Sequence, residues 1–466
     1  ITILTGNFRG TDFNNVETTR IIEERTNTKI NVIAVSWGDA YSNKQNVMLA
    51  SQDLPDIMIV TGTADEIKFC DAGIILPLNK YWDKYTNIKK CRSEKIWEIM
   101  TYKDGNVYFV PTTAKIDHDN PLMVDSGPLY RKDWLDKFGL DIPTTLDEYY
   151  EVADAVSNRD PDGNNKKDTF AIIGCLGLME AFGEVFSAFG VQPDNWMEKD
   201  GEIVFGSAQP ETKEALKFLK KMYDNGMIDP EFITDDQQRR DEKIKLGIMG
   251  AGSYYLENVL DPDNAIYKKF KENNPNGEYV AGPRLTQEGY TPAGGRGLPM
   301  RGWMKTGILA GSKNIDAALR VLDLICSDEY TMIYNYGIEG KHYVKNPDGT
   351  VRVIAKPEEM EAFGINLTHI PVVRTTLALS ANENLRNAML NLSKSSVINM
   401  TDKYLVPELE YTRELDDYTR EQFSKMIIGN VPIDGGFENY IEELNKRGYK
   451  ELYEALNKAH KEMQQR

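Results

Sequence analysis

Apolar and polar positions alternate at the start of the chain, where Ile1-Thr-Ile-Leu-Thr5 reads as a strand running into the loop Gly6-Asn-Phe-Arg-Gly10. A helical pattern follows from Val16 to Arg25, a second strand from Lys29 to Val35, and a helix from Tyr41 to Ala50 after Trp37-Gly38-Asp39. Leu54-Pro-Asp56 then opens Ile57-Met-Ile-Val60, a short and wholly apolar run, as expected of a strand covered on both faces. Strands alternating with helices predict an α/β domain with a largely parallel sheet. The alternation restarts after residue 113, with amphipathic helices at Pro143–Asn158 and Pro210–Asn225 and a strand at Thr169–Gly174 between them. Lys243 to Ala251 reads as a further strand entering a Gly-rich turn, and 275–300 as a Gly- and Pro-rich crossing or loop. From Phe437 onward, Tyr440, Leu444, Tyr449, Leu452 and Leu456 recur at helical spacing and predict a C-terminal helical hairpin.

Length changes this picture first: 466 residues are too many for one ordinary core and enough for two domains. Apolar residues make up 41% and aromatics 10%, which allows ample burial, and no apolar run approaches the roughly 18 residues that span a bilayer. The formal charge of −17, with 72 acids against 55 bases, disfavours nucleic acid and unaided docking on an anionic membrane; it is accounted for by solubility. Four cysteines (Cys70, Cys91, Cys175 and Cys326) are scattered without CxxC spacing, so neither a zinc site nor a disulfide framework is indicated, and buried free thiols are expected. Because Ile1 falls inside a strand, a leader is expected to have preceded it.

Two features carry chemistry. In Asp160-Pro-Asp162-Gly-Asn164-Asn-Lys166-Lys-Asp168, oxygen-bearing side chains recur at every second position, Gly163 permits a tight turn, and the Lys166 carbonyl supplies a further oxygen. That pattern suits a hard cation, and structural calcium is the expected cofactor; a solvated Asx-rich turn is the alternative. The loop lacks the acidic twelfth position of a full EF-hand. The aromatics Trp37, Trp196, Tyr254, Tyr255 and Trp303 each sit at or beside a strand end or loop. In open α/β sheets ligands bind there, and pyranose C–H faces pack on aromatic planes, although core packing explains each of them singly. Catalysis finds no support: there are four histidines (His118, His342, His369, His460), and HExxH, GxSxG, Walker and GxGxxG motifs are all missing.

The chain resembles the extracellular solute-binding proteins of family 1, near the LipO-like lipoprotein branch common in Gram-positive bacteria. The resemblance rests on Leu54-Pro-Asp-Ile57, Tyr130–Leu140 followed by Pro143–Tyr149, the Asp160–Asp168 loop, Ala317–Asp323 and Tyr334–Tyr343. It implies a two-lobed, periplasmic-binding-protein-like α/β fold of type II, similar in plan to maltodextrin- and alginate-binding proteins, with discontinuous lobes. The N-terminal lobe is expected at 1–112 and 284–340 and the C-terminal lobe at 113–283 and 341–466, with crossings near 110–115, 280–284 and 337–343. It further implies an extracellular lipoprotein tethered to the outer face of the cytoplasmic membrane, monomeric and not an enzyme. Such a protein captures an oligosaccharide between its lobes by hinge closure and delivers it to the permease subunits of an ABC importer.

Carried onto this sequence, ligand positions are Asn7, Arg9, Trp37, Thr61 and Thr63 in the first lobe and Trp196 and Tyr254 in the other, with Trp303 and Arg374 beside them; His342 is a further position that could face the ligand. The calcium loop of the alginate-binding relatives matches Asp160, Asp162, Asn164, Lys166 and Asp168, but Thr169 stands where they often carry Glu. A neutral oligosaccharide is the expected ligand, while Arg9, Arg296, Arg301 and Arg374 offer an acidic sugar bidentate partners. A secreted carbohydrate-active enzyme, a binder of peptides or other small solutes, and a sensor component remain the rival readings.

Overall fold

The protein is described here as a computed structural model covering residues 1–7, 12–112, 124, 126–174, 177–262, 264–296, 301–302, 304–364 and 382–464. In chain order its main elements are β1 (Thr2–Asn7), α1 (Glu17–Thr26), β2 (Asn31–Ser36), α2 (Asp39–Ser51), β3 (Ile57–Thr61), α3 (Thr63–Asp71), α4 (Thr86–Lys90), β4 (Val110–Pro111), β5 (Ser126–Arg131), α5 (Leu146–Asn158), α6 (Leu178–Ala188), α7 (Pro210–Asp224), α8 (Gln237–Leu246), β6 (Ala251–Tyr255), β7 (Tyr279–Ala281), β8 (Met304–Ile308), α9 (Ile315–Ile325), α10 (Asp328–Tyr336), α11 (Glu383–Ser393), α12 (Thr412–Ile428), α13 (Ile433–Asn445) and α14 (Tyr449–Gln464). The chain divides into two compact units, Ile1–Pro121 with Pro299–Ala381, and Leu122–Leu298 with Asn382–Arg466. No described helix is long and apolar enough to cross a membrane.

The first unit is built on a five-stranded sheet in the order β2-β1-β3-β8-β4. β1 pairs in parallel with β2 and with β3, while β8 returns antiparallel to both β3 and β4. Ile57, Met58, Ile59 and Val60 of β3 are all fully buried, which is why their run lacks polar alternation. α2 follows β2 and buries Tyr41, Gln45 and Met48, one or two turns apart on a single face. α9 buries Ala318, Leu319, Val321, Leu322 and Ile325 and packs on α1, where Arg320 donates to the Thr26 carbonyl.

The second unit centres on β5, paired antiparallel with β6 on one side and β7 on the other. The parallel character expected of it is limited to a short ladder of Gly295–Arg296 with Ser396–Val397 and to isolated bridges, among them Phe170 with Met249 and Ile172 with Ile228. Thr169–Gly174 is therefore a buried connecting segment, held by two bridges rather than by a strand ladder. α5 starts in a capping box between Thr145 and Glu148 and buries Leu146, Tyr149, Val152, Ala153 and Val156. α6, α7 and the C-terminal helices close the core, with Phe186 of α6 stacked on Phe423 of α12 at 6.2 Å. The expected C-terminal hairpin is present as α13 and α14, with Tyr440, Leu444, Leu452 and Leu456 buried.

Two further expectations are corrected. Lys243–Ala251 is not a strand: Lys243 to Leu246 close α8, which Asp236 caps by accepting from Arg239 N–H and which ends at Gly247 with φ +81°. The unit boundaries also fall elsewhere. Residues 284–298 stay with the second unit, because Thr286 bridges Thr145 and the Ala293 N–H donates to the Ser187 carbonyl. Residues 341–381 stay with the first: the Tyr343 ring packs 5.7 Å from Tyr336, and the Gly364 carbonyl accepts from Thr18 Oγ1.

Candidate ligand and metal sites

In the first unit, three parallel strands end side by side, with Asn7 of β1 opposite Ser36 of β2 and Thr61 of β3 opposite Met304 of β8. Ligands of open α/β sheets gather at such carboxyl ends. Trp37 follows β2, half-buried, with its ring 4.8 Å from Tyr41 and packed on the backbone of Gly6. Thr61 and Thr63, also half-buried, flank Gly62, whose φ of +86° turns the chain from β3 into α3. Asp65 lies in the first turn of that helix, and burial pushes its carboxyl upward against the pull of Lys68 and Lys305. Trp37, Tyr41, Thr61, Thr63 and Asp65 thus share one edge of the sheet. The backbone of Asn7 ends β1 there, while Arg9, Trp303 and Arg374 lie outside the described residues.

Arg301 occupies a different place from the one an acidic ligand requires. It and Glu66 are both almost fully buried; Nη2 donates to Glu66 Oε1, Nε to Oε2 at 3.2 Å, and Nη1 to the Ile99 carbonyl. Lys305 Nζ adds a second cation 3.5 Å from Glu66. The guanidinium fork is already committed inside the unit.

In the second unit the two aromatics expected in the site are core residues. Trp196 is 1% exposed, stacked 5.3 Å from Phe205 and 5.7 Å from Tyr449. Tyr254 is 0% exposed; its hydroxyl donates to Asp241 Oδ1 at 2.5 Å and accepts from Asn258 at 3.1 Å. Its neighbour Tyr255, the last residue of β6, is half-exposed, with its ring edge-on to Tyr254 at 5.5 Å between centroids. His342 is also structural: it is 2% exposed, Nδ1 accepts from the Ile338 N–H at 2.9 Å, and its ring lies 4.5 Å from Phe363. Burial holds its pKa below the ordinary range.

The Asp160–Asp168 loop brings two of its expected donors, Asp162 and Asp168, to the Asn164 amide. Asn164 Nδ2 donates to Asp162 Oδ2 at 2.8 Å and to both oxygens of Asp168 at 3.2 Å, while Asn165 N–H donates to Asp160 Oδ2. Asp160 and Asn165 take positive φ, which Asp and Asn tolerate. Asp160 Oδ1 is buried without a partner. Burial, then the carboxylates of Asp160 and Asp168, raise Asp162 above the usual carboxylate range. As they stand, no three Asp, Glu, His or Cys side chains among the described residues are set to hold a metal. The donor chemistry nevertheless fits a hard cation: Asp162 and Asp168 share the Asn164 amide hydrogens that a cation would replace, and one Asp160 oxygen is buried without a partner.

A family model for bacterial extracellular solute-binding proteins matches residues 18–332. The chain belongs to that family. As a bacterial extracellular solute-binding protein it is a member of a family of binders rather than enzymes. Over 450 residues it is 25% identical to lipoprotein LipO of Bacillus subtilis, covering 92% of this chain and 86% of LipO. Over 454 residues it is 25% identical to the polygalacturonan/rhamnogalacturonan-binding protein YtcQ of the same organism, covering 95% and 87%. Among solved structures, the Streptococcus pneumoniae substrate-binding protein FusA with kestose superposes with a TM-score of 0.77 at 20% identity, covering 99% of both chains. An EF-hand mutant of FusA with fructo-nystose gives the same figures. The alginate-binding protein AlgQ2 without calcium gives 0.75 at 19%, covering 99% of this chain and 98% of that one. The fold is accordingly that of the type II solute-binding proteins, α/β with each unit drawn from two stretches of chain.

Proposed function

We propose that this protein captures a neutral oligosaccharide outside the cell and presents it to the membrane subunits of an ABC importer. The observation carrying this reading is the half-buried Trp37 at the carboxyl edge of the parallel strands, flanked by Thr61, Thr63 and Asp65. A sugar offers an indole ring its C–H face and offers hydroxyl and carboxylate groups its directed hydrogen bonds. Relatives named for fructooligosaccharide, which is neutral, and for polygalacturonan and rhamnogalacturonan, which are acidic, support an oligosaccharide as the ligand. The commitment of Arg301 to Glu66 favours a neutral sugar over an acidic one. From the second unit we offer Tyr255 as the aromatic nearest to this role; Asn7, Arg9, Trp303 and Arg374 stay as ligand positions carried over from the family resemblance.

Transport needs no chemistry from this chain. The sugar binds one conformer better than another and shifts the equilibrium by its differential affinity, and the membrane subunits read the favoured conformer. LipO's name as a lipoprotein supports a lipid tether to the outer face of the cytoplasmic membrane. Calcium belongs to the reading as a structural ion held by Asp160, Asp162, Asn164, the Lys166 carbonyl and Asp168, supported by the relatives named for an EF-hand and for calcium. Bound there, it supplies positive charge to a carboxylate cluster.

Isothermal calorimetry against neutral fructo-oligosaccharides, oligogalacturonides and peptides tests the proposal. Binding to a neutral oligosaccharide supports it. Binding only to oligogalacturonides moves the ligand to the acidic class, and binding only to peptides removes the sugar assignment.

A further inference from the structure

Unit 1 is assembled from two stretches of chain separated by Leu122–Leu298, so its own fold holds the two together only through non-covalent contacts. Beside the pairing of β8 with β3 and β4, one join lies between α4 and α9. Asp323 on α9 caps α4 from outside: its Oδ1 accepts from the Asn87 N–H at 2.9 Å and the Ile88 N–H at 3.2 Å, and its Oδ2 from Asn87 Nδ2 at 2.9 Å. One turn further along each helix stands a cysteine, Cys91 as the C-cap of α4 and Cys326 as the C-cap of α9. Both are buried, at 3% and 6% exposure, and both are thiols in this structure. The two side chains are near enough to hydrogen-bond to each other, and the Cys91 thiol also donates to the Ile88 carbonyl at 3.1 Å.

We infer that Cys91 and Cys326 form a disulfide in the exported protein, stapling the two halves of unit 1. The family is extracellular, and outside the cytoplasm paired thiols are no longer held reduced. The reaction balances as an exchange: the two thiols lose two electrons and two protons as the S–S bond forms, and the disulfide of an extracytoplasmic thiol–disulfide oxidoreductase takes both up, leaving as a dithiol. Timing follows from burial. The hydrogen bond with Cys91 and the apolar surroundings hold the Cys326 thiol well above its ordinary range, so the folded protein offers little thiolate and reacts slowly. The bond therefore forms while the chain is still folding after export. Once unit 1 closes over it, the same burial protects it from reductants. Cys70 has no such neighbour among the described cysteines; it is a buried thiol in α3, pushed up to about 12 by burial and by Glu66.

The inference stands apart from the ligand. The full chain, exported from a bacterial host, is denatured in alkylating agent without prior reduction, digested, and analysed by mass spectrometry. A fragment linking Cys91 to Cys326, released by reductant and lighter by two hydrogens than its parts, is the expected result. Alkylated, unlinked Cys91 and Cys326 would overturn it, as would either residue paired with Cys70 or Cys175. A second readout uses heat: the exported protein, unfolded in dithiothreitol and refolded with its thiols reduced, should show a lower unfolding midpoint than before, and the same treatment should leave that of a Cys91→Ser, Cys326→Ser double variant unchanged. A wild-type midpoint indifferent to reductant would overturn the stapling role, and the mass analysis decides the bond even where the double variant does not fold.

Discussion

Trp37 packs against the backbone of Gly6 so closely that a Cβ at Gly6 would stand 2.0 Å from the indole ring. Gly6 belongs to β1 and Trp37 follows β2, so two neighbouring strands jointly fix the position of one aromatic plane. Gly6→Ala forces the ring to move. It should weaken oligosaccharide binding at least as much as Trp37→Ala, each by about tenfold or more, equivalent to about 1.4 kcal/mol. Calorimetry on both variants checks this. Unchanged affinity in both would remove Trp37 from the site.

Tyr255 and Trp196 should separate cleanly into ligand contact and core. Trp196→Ala removes a ring packed between Phe205 and Tyr449 and should cost about 3–5 kcal/mol in denaturant unfolding. Tyr255→Ala, at a half-exposed strand end, should cost about 1 kcal/mol or less and lower affinity instead. The reverse pattern, a stable Trp196→Ala with weakened binding, would return Trp196 to the site.

The contrast between those two residues shows what the sequence made legible. Strand and helix positions in the first unit follow directly from it, because Ile57–Val60 is apolar without interruption and Tyr41, Gln45 and Met48 recur at helical spacing. The reading of Lys243–Ala251 failed because Lys243-Ile-Lys-Leu246 alternates as a strand would. The helix there is almost entirely polar, burying only Arg240 and Ile244, and its true markers are the Asp236 cap and Gly247. Which aromatics face inward was hidden for another reason. Trp196 meets Tyr449, its stacking partner, only through tertiary folding, and no local pattern announces a partner so far along the chain.

The buried Glu66–Arg301 pair yields a prediction about stability rather than affinity. Removing one member of a buried, hydrogen-bonded ion pair strands the other charge, at a cost of about 3–5 kcal/mol. Arg301→Ala leaves Glu66 facing only Lys305 at 3.5 Å and should unfold at distinctly lower denaturant concentration, as should Glu66→Ala. Neither acts by way of an acidic ligand. An Arg301→Ala protein of native stability that had lost affinity for oligogalacturonides would show that the guanidinium serves a ligand after all.

The loop at Asp160–Asp168 should change the sign of its pH dependence when calcium binds. Without metal, Asp162 is held above the usual carboxylate range by burial and by its neighbours Asp160 and Asp168. A carboxyl whose folded pKa exceeds its unfolded value binds a proton more tightly when folded. Its contribution therefore falls as pH rises from the unfolded pKa, about 3.9, through the raised folded value. The calcium-free loop should thus gain from mild acidification. With calcium the carboxylates must be ionised to serve as ligands, so acidification releases the ion and its stabilisation together. Comparing unfolding midpoints of the wild type and Asp162→Asn between pH 4 and pH 7 (about the window set by carboxylate titration), with calcium and with chelator, isolates this loop from other carboxylates. The expected result is a calcium-dependent rise in the wild type that shrinks toward pH 4 and is lost in Asp162→Asn, whose chelated midpoint equals or exceeds that of the wild type at pH 7. A midpoint indifferent to calcium at pH 7 would leave the loop as a solvated turn.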